Sequence, residues 1–370
     1  MKKIICIALC LLVMIPPCFA GEITLKAPSA VLMSQDGRVL FEKNAHEKRP
    51  VASVTKVMTL LLVCESMEKG DFSLSDTVTA SEHACSMGGS QIWLKEGEQF
   101  SVEEMIKAVV ICSANDCAVA LAEFAGGTEE NFVAKMNERA KELNMQDTHF
   151  VNACGLDATG HLSSAYDVAI MSNELIKRDV IRKYATVWQD TLRNGEFTLT
   201  NTNKLVKSYE GLTGLKTGFT ASAGYCLSAT AERNGLSLCA VVLGGETSQS
   251  RNADIAAMLN YGFSEYMSIK PETDRPLMPV PVVLGDCDCV IPELAKAEPV
   301  IVPKGGKITK TVELSKSLSA PIEKGEKIGS MLVFRDGEKI AEIPIVAQNE
   351  ANRLGIFGIL GKMLKISFMR

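Results

Sequence analysis

Histidine is scarce. The chain has four in 370 residues, His46, His83, His149 and His161. Such scarcity argues against a histidine-rich metal centre, and no cysteine cluster has the paired spacing of a zinc site. No Gly-x-Ser-x-Gly elbow occurs either, which disfavours a histidine-dependent triad hydrolase. Basic charge is not in excess: the formal net charge is −5, whereas nucleic-acid binders present a broad basic surface. Internal repeats, low-complexity tracts and apolar runs long enough to cross a bilayer are also missing. What remains is 46% hydrophobic and 22% charged, a chain that buries a core and has room for two or three domains.

Mean hydropathy is slightly high at +0.11, and the excess lies partly at the two ends. Met1-Lys2-Lys3 precedes twelve uncharged apolar residues, Pro16-Pro17 and Cys18-Phe19-Ala20. This is the layout of a secretory signal peptide over residues 1–20, cut before Gly21. A retained anchor helix is the alternative, disfavoured because the run is short. At the other end, residues 354–369 hold ten large apolar side chains. On a helix, Gly355, Gly358, Lys362 and Lys365 share one narrow wedge, and no acid follows Glu350. A basic amphipathic helix over 349–370, lying in a membrane interface, is favoured over a helix docked on the protein's own core.

Cys6, Cys10 and Cys18 leave with the signal, and nine cysteines stay. An odd number leaves at least one thiol free. Cys112 and Cys117 are five apart on a predicted helix, and Cys287-x-Cys289 is too tight for an ordinary bridge. The expectation is mostly buried, reduced cysteines used as small apolar residues.

Turn signals at Asp36-Gly37, Asn234-Gly235 and Asp336-Gly337 predict three hairpins. Apolar periodicity predicts helices over 51–68, 102–124, 131–143, 166–177 and 252–266. After residue 268 prolines cluster, and short β-rich runs imply a small all-β, sandwich-like domain over 269–348.

Ser53 and Lys56 stand at i, i+3 near the start of the first helix, where backbone N–H groups favour developing negative charge. Serine attacks only when a base takes its proton, and lysine serves as that base only if its pKa is lowered. Ser-x-x-Lys alone arises about once or twice by chance in such a chain. Ser66-Met67-Glu68-Lys69 is a second copy, deep in the same helix. The Ser53 copy is followed 60 residues later by Ser113-Ala114-Asn115, and 103 residues after that by Lys216-Thr217-Gly218 on a possible edge strand. Ser250-Arg251-Asn252 matches the middle pattern incidentally.

In this order and spacing the three motifs resemble the low-molecular-mass penicillin-binding proteins, the serine-type D-alanyl-D-alanine carboxypeptidases. The resemblance extends to Asn152-Ala153-Cys154-Gly155-Leu156-Asp157, to residues 214–220 and to Ala223-Gly224-Tyr225. It implies an α+β, β-lactamase/DD-peptidase-like catalytic domain over 21–268, an antiparallel sheet flanked by helices plus a helical lobe. It implies Ser53 as nucleophile, Lys56 as general base and Ser113 as the hydroxyl passing a proton to the leaving D-alanine. Asn115 would hold the substrate amide, and Lys216 and Thr217 would face its terminal carboxylate. Gly218 completes that motif, and Phe219 N–H would form the oxyanion hole with Ser53 N–H. Arg251, 35 residues beyond Lys216, matches a family arginine that assists carboxylate recognition; a surface charge is its alternative reading. The implied substrates are peptidoglycan stem peptides, with β-lactam antibiotics as acylating inhibitors and no metal or organic cofactor. The implied location is the outer face of a bacterial cytoplasmic membrane.

A serine β-lactamase shares these motifs, but one major class needs a glutamate four residues before an asparagine, and Ala140 stands there before Asn144. A DD-endopeptidase and a non-catalytic wall-binding protein are further alternatives. The intact set of site residues argues against the last.

Overall fold

A computed structural model describes residues 23–297 and 299–361. The expected signal peptide and the last nine residues of the amphipathic stretch lie outside these.

β1 (Ser29–Ser34) and β2 (Val39–Lys43) form the first expected hairpin. A 3-10 turn (Ala52–Thr55) runs directly into α1 (Lys56–Lys69), so Ser53 and Lys56 sit at the junction. β3 (Thr77–Thr79) and β4 (Gln99–Ser101) make a short ribbon, with α2 (Glu82–Cys85) between them in sequence. α3 (Val102–Ile111) starts on a capping box in which Ser101 and Glu104 satisfy each other's backbone N–H groups.

The single helix expected over 102–124 is two. α4 (Asn115–Gly126) begins only after Cys112-Ser113-Ala114, and Ser113 takes φ +67°. Neither glycine nor proline marks this break. It is imposed from outside the helix: Asn115 N–H donates to Ser90 O (2.6 Å), and the buried Asp116 carboxylate accepts from Ile92 and Leu94 N–H. Left-handed backbone at a non-glycine costs about 1–3 kcal/mol, which these buried bonds offset.

α5 (Glu129–Glu142) and α6 (Ala165–Leu175) follow close to expectation; the short α7 (Asp179–Ala185) was not among the expected helices, and the ribbon β5 (Gln189–Leu192) and β6 (Phe197–Thr200) comes after it. β7 (Leu212–Thr220), β8 (Gly224–Arg233) and β9 (Leu236–Gly245) complete an antiparallel sheet in the order β2-β1-β9-β8-β7. α8 (Ser248–Glu265) starts earlier than expected because Thr247 and Ser250 cap it. Ser250-Arg251-Asn252 is therefore a helix first turn and not a second catalytic triplet.

Every residue of β1 is buried, because helices cover both faces of the sheet. Val31 and Met33 pack with Val57, Leu61, Val168 and Met171 from α1 and α6. Leu32 joins Leu238, Ile255, Met258 and Leu259 on the α8 side. This alternation follows from the two-residue period of a strand. β7 is left at the sheet edge, where one side of its backbone is open.

β10 (Tyr266–Ile269) leads onward. Tyr266 packs on the α8-side core and Ile269 on the next one. The remaining strands are β11 (Val280–Val283), β12 (Cys289–Val290), β13 (Pro292–Leu294), β14 (Val300–Pro303), β15 (Ile308–Leu314), β16 (Leu318–Ser319), β17 (Lys327–Arg335) and β18 (Glu338–Ala347). They form sheets β12-β11-β16 and β13-β18-β17-β15 around Val282, Val290, Met331, Val333 and Ile345, while β14 pairs with β10. The fold is thus α+β with an all-β C-terminal part.

Cys64, Cys85, Cys112, Cys117, Cys154, Cys226, Cys239 and Cys289 are free thiols. Five are buried (Cys64, Cys117, Cys154, Cys226 and Cys239), and Cys289 is exposed.

Candidate active site

Three stretches far apart in sequence meet at the start of α1. Lys56 is completely buried, and its Nζ donates to Ser53 Oγ (2.8 Å), Asn115 Oδ1 (2.5 Å) and Cys154 O (2.6 Å). All three ammonium protons are matched by acceptors, the requirement for a buried charge. Burial nevertheless pulls the Lys56 pKa from 10.5 down to about 8, against the opposing pull of Cys154, Cys112 and Asp116. A neutral, proton-accepting lysine is therefore accessible near neutral pH. Lys216 is also held well below its ordinary value, first by burial and then by the like charge of Lys56.

The backbone just before Ser53 is strained, with Ala52 at φ +48°. Asn115 presents Oδ1 to Lys56 while its Nδ2 donates to Gly88 O (2.6 Å). Ser113 Oγ, two residues from Asn115, is buried and has no hydrogen-bond partner among the described residues.

β7 closes the other side. A Cβ on Gly218 would lie 2.7 Å from Val51 O and 3.1 Å from Ser53 N, so only glycine lets the strand come this close to the Ser53 backbone. This contact brings the Gly218–Phe219 peptide beside Ser53 N–H. Lys216 is buried and donates to Thr217 O (3.0 Å), and Thr217 Oγ1 donates to Thr202 Oγ1 (2.6 Å). Phe219 is 56% exposed, its ring 4.4 Å from that of Tyr225. Arg251, on the first turn of α8, is buried. Its Nε and Nη2 donate to Asn252 Oδ1 (3.0 and 2.9 Å) and its Nη1 to Cys226 O (3.3 Å). Burial draws its pKa down to about 10, and its charge reaches Lys216. All the predicted residues are therefore drawn into one region by α1, the α3–α4 break, β7 and α8.

Several supporting residues carry no signal of a role in the sequence. Cys154 contributes its carbonyl, which any residue type supplies. Thr202 ties β7 to the α3–α4 break, since its N–H donates to Ile111 O (3.1 Å). His161, buried, lies 2.7 Å from Thr55 Oγ1 through Nε2 and accepts from Val151 N–H at Nδ1, and burial lowers its pKa to about 4. Cys112 donates to Ala108 O, and burial raises its thiol to about 11, so it is no thiolate nucleophile at neutral pH. A larger depression of about 710 Å³ at the far end of α1 holds none of the predicted residues; the side-chain geometry, not volume, defines this site.

Gly155 shows how tightly the loop is set. It takes φ +84°, and a Cβ there would overlap Ala52 O and sit 2.9 Å from Thr55 Oγ1. Gly155→Ala is expected to cost about 2–4 kcal/mol of stability and to slow acylation at least about tenfold, because Cys154 O and Ala52 must both shift. Thermal melting and the rate of penicillin adduct formation check it.

Comparison with known proteins decides the family. Residues 17–247 match the family described as D-alanyl-D-alanine carboxypeptidase. The chain belongs to that family. Residues 274–353 match the penicillin-binding protein 5 C-terminal domain. The chain is 41% identical to D-alanyl-D-alanine carboxypeptidase DacF of Bacillus subtilis, over 97% of this chain and 96% of that protein. It is 33% identical to DacC of Escherichia coli, over 95% and 92%. Penicillin-binding protein 5 from Haemophilus influenzae has a similar structure, with TM-score 0.75 and 29% identity, covering 90% of this chain and 99% of that one. Penicillin-binding protein D2 of Listeria monocytogenes, solved in an ampicillin-bound form, aligns at TM-score 0.60 and 33% identity over 65% and 99%. The protein is a serine-type D-alanyl-D-alanine carboxypeptidase, a hydrolase of the penicillin-binding class, which sets the β-lactamase and non-catalytic alternatives aside.

Proposed function

We propose that Ser53 attacks the carbonyl between the two terminal D-alanines of a peptidoglycan stem pentapeptide. The observation that carries this is the Lys56 hydrogen bond to Ser53 Oγ at 2.8 Å from a lysine whose pKa is about 8. Neutral Lys56 takes the hydroxyl proton as the Oγ–C bond forms. Ser53 and Phe219 N–H groups receive the oxyanion. Ser113 relays the proton to the departing D-alanine amine as the C–N bond breaks. Lys216 and Thr217 hold the terminal carboxylate, supported by Arg251, and Asn115 holds the substrate amide. Water then attacks the acyl-enzyme, Lys56 again acting as base, and releases the shortened stem. Penicillins enter the same path and stop at the acyl-enzyme. The test is to mix the chain with pentapeptide and follow D-alanine release, and separately with penicillin and weigh the intact protein. Stoichiometric D-alanine and a penicillin adduct that maps to Ser53 are expected; an adduct elsewhere overturns the assignment.

The proposed organisation is a signal peptide over 1–20, a catalytic domain over 21–268, a β domain from 269 and a C-terminal amphipathic helix; its expected start at 349 moves to 356, because Ala351 is buried in the β-domain core and bridges Ile322. The chain would be exported and held on the outer face of the cytoplasmic membrane. Supporting this, residues 356–361 are helical, with Ile356 77% and Phe357 90% exposed. No helix among the described residues is long and apolar enough to cross a membrane. A variant ending at residue 355, which keeps the β-domain contacts of Ala351 to Leu354, is expected to stay in solution when anionic vesicles are pelleted, while the longer chain pellets with them. Its kcat on a soluble pentapeptide should stay within about twofold, because the described residues of the helix, 356–361, belong to no part of the site. Pelleting of the shortened variant would overturn the anchor.

A further inference from the structure

Asp157 stands beside Thr220, the last residue of β7. Its Oδ1 accepts two hydrogen bonds across the gap, from Thr220 Oγ1 (2.8 Å) and from Ser222 Oγ (2.7 Å). Both fall on one oxygen, and the residue is exposed, so its second oxygen keeps its acceptor capacity. The clasp lies over a cavity of about 390 Å³ lined by Val51, Ala52, Leu156, Asp157, His161 and Ser222 among others. Val51 and Ala52, which immediately precede Ser53, form one wall of this cavity.

Strand direction says what arrives there. β7 runs from Leu212 to Thr220 with its outer edge open. Lys216 and Thr217 take the terminal carboxylate, and Phe219 N–H takes the scissile carbonyl. A stem bound as an added strand along that edge therefore continues past Phe219 toward Thr220. One residue further, about 3.4 Å along, comes the third residue of the stem. In peptidoglycan stems this residue is typically a diamino acid whose side-chain amine is free before cross-linking and an amide afterwards.

We propose that Asp157 is a specificity residue that reads this free ammonium, so that the enzyme favours stems not yet used as cross-link acceptors. The inference rests on the placement of substrate along β7 proposed above. A carboxylate is suited to this task because it attracts an ammonium and has no such attraction for the neutral amide. The contact is partly solvated, so the preference is modest and weakens with salt.

The experiment crosses two changes. The full chain and its Asp157→Asn variant are assayed on a synthetic pentapeptide ending in L-lysyl-D-alanyl-D-alanine, and on the same peptide with the lysine amine acetylated. The expected result is a wild-type kcat/KM ratio of about three to five in favour of the free amine, carried by KM, falling toward one in Asp157→Asn. The ratio should also fall as salt is raised to about 1 M. Ser222→Ala loosens the clasp without touching the charge and should keep the ratio. A wild-type ratio near one, or an unchanged ratio in Asp157→Asn, overturns the proposal. Parallel loss in Asp157→Asn and Ser222→Ala overturns it too, leaving Asp157 as a structural clasp only. Penicillin adduct formation at Ser53, read in the same wild-type preparation, reports on the site assignment separately. An adduct with a flat ratio counts against Asp157 alone, and no adduct counts against the underlying site.

Discussion

Lys56→Arg is expected to slow acylation by penicillin and release of D-alanine by about 10²- to 10⁴-fold, the usual worth of a positioned general base. Arginine keeps the positive charge beside Ser53 but does not give up its proton, so the variant separates basicity from charge. Lys56→Met, uncharged and of similar length, should show the same loss. Melting curves confirm that each variant folds. The pH profile has a definite sign. Burial places the Lys56 pKa at about 8, and the active form is the neutral one. The acylation rate should therefore rise with pH, about tenfold per unit below 8, and level above it. A variant retaining more than a tenth of the rate would sink Lys56 as the base. The same shift links to stability: between about 8 and 10.5 the unfolded chain keeps a proton that the folded chain has lost. Stability from this group accordingly rises with pH across that window.

Ser53→Ala is expected to remove the penicillin adduct and to lower D-alanine release by about 10⁴-fold or more, since no acyl-enzyme forms without the nucleophile. Folding should survive. The lost hydroxyl accepts one bond from Lys56, whose Nζ retains Asn115 Oδ1 and Cys154 O. A melting temperature within a few degrees of the unaltered chain is the control, and intact mass is the readout. A persistent adduct in Ser53→Ala would move the nucleophile elsewhere, and the second Ser-x-x-Lys copy is a poor refuge. Ser66 sits in the last turn of α1, remote from the Lys216 and Asn115 side chains.

Much of the scaffold was legible because it rests on local rules. The Asp36-Gly37 hairpin, the helix carrying Ser53 and Lys56, and the β8–β9 hairpin each follow from turn chemistry or apolar period. The α3–α4 break was not legible. Residues 112–114 carry helix-compatible side chains, and the turn at Ser113 is forced by bonds to residues 90–94, which no local window contains. Cys154 was invisible for a different reason: its role is carried by a backbone carbonyl. The Asp157 clasp joins residues 63 and 65 positions apart through hydroxyls common on any surface.

By itself the sequence determined which chemistry was available. The i, i+3 placement of Ser53 and Lys56 at a helix start, and the order of the three motifs, are properties of spacing, and spacing survives without a fold. Only the tertiary structure decided that this chemistry is usable. Three acceptors from three segments hold the buried Lys56, and the absence of a side chain on Gly218 lets β7 reach Ser53 N. Desolvation arises from the whole packed core, and it is this that brings the lysine pKa down to where it can accept a proton from serine.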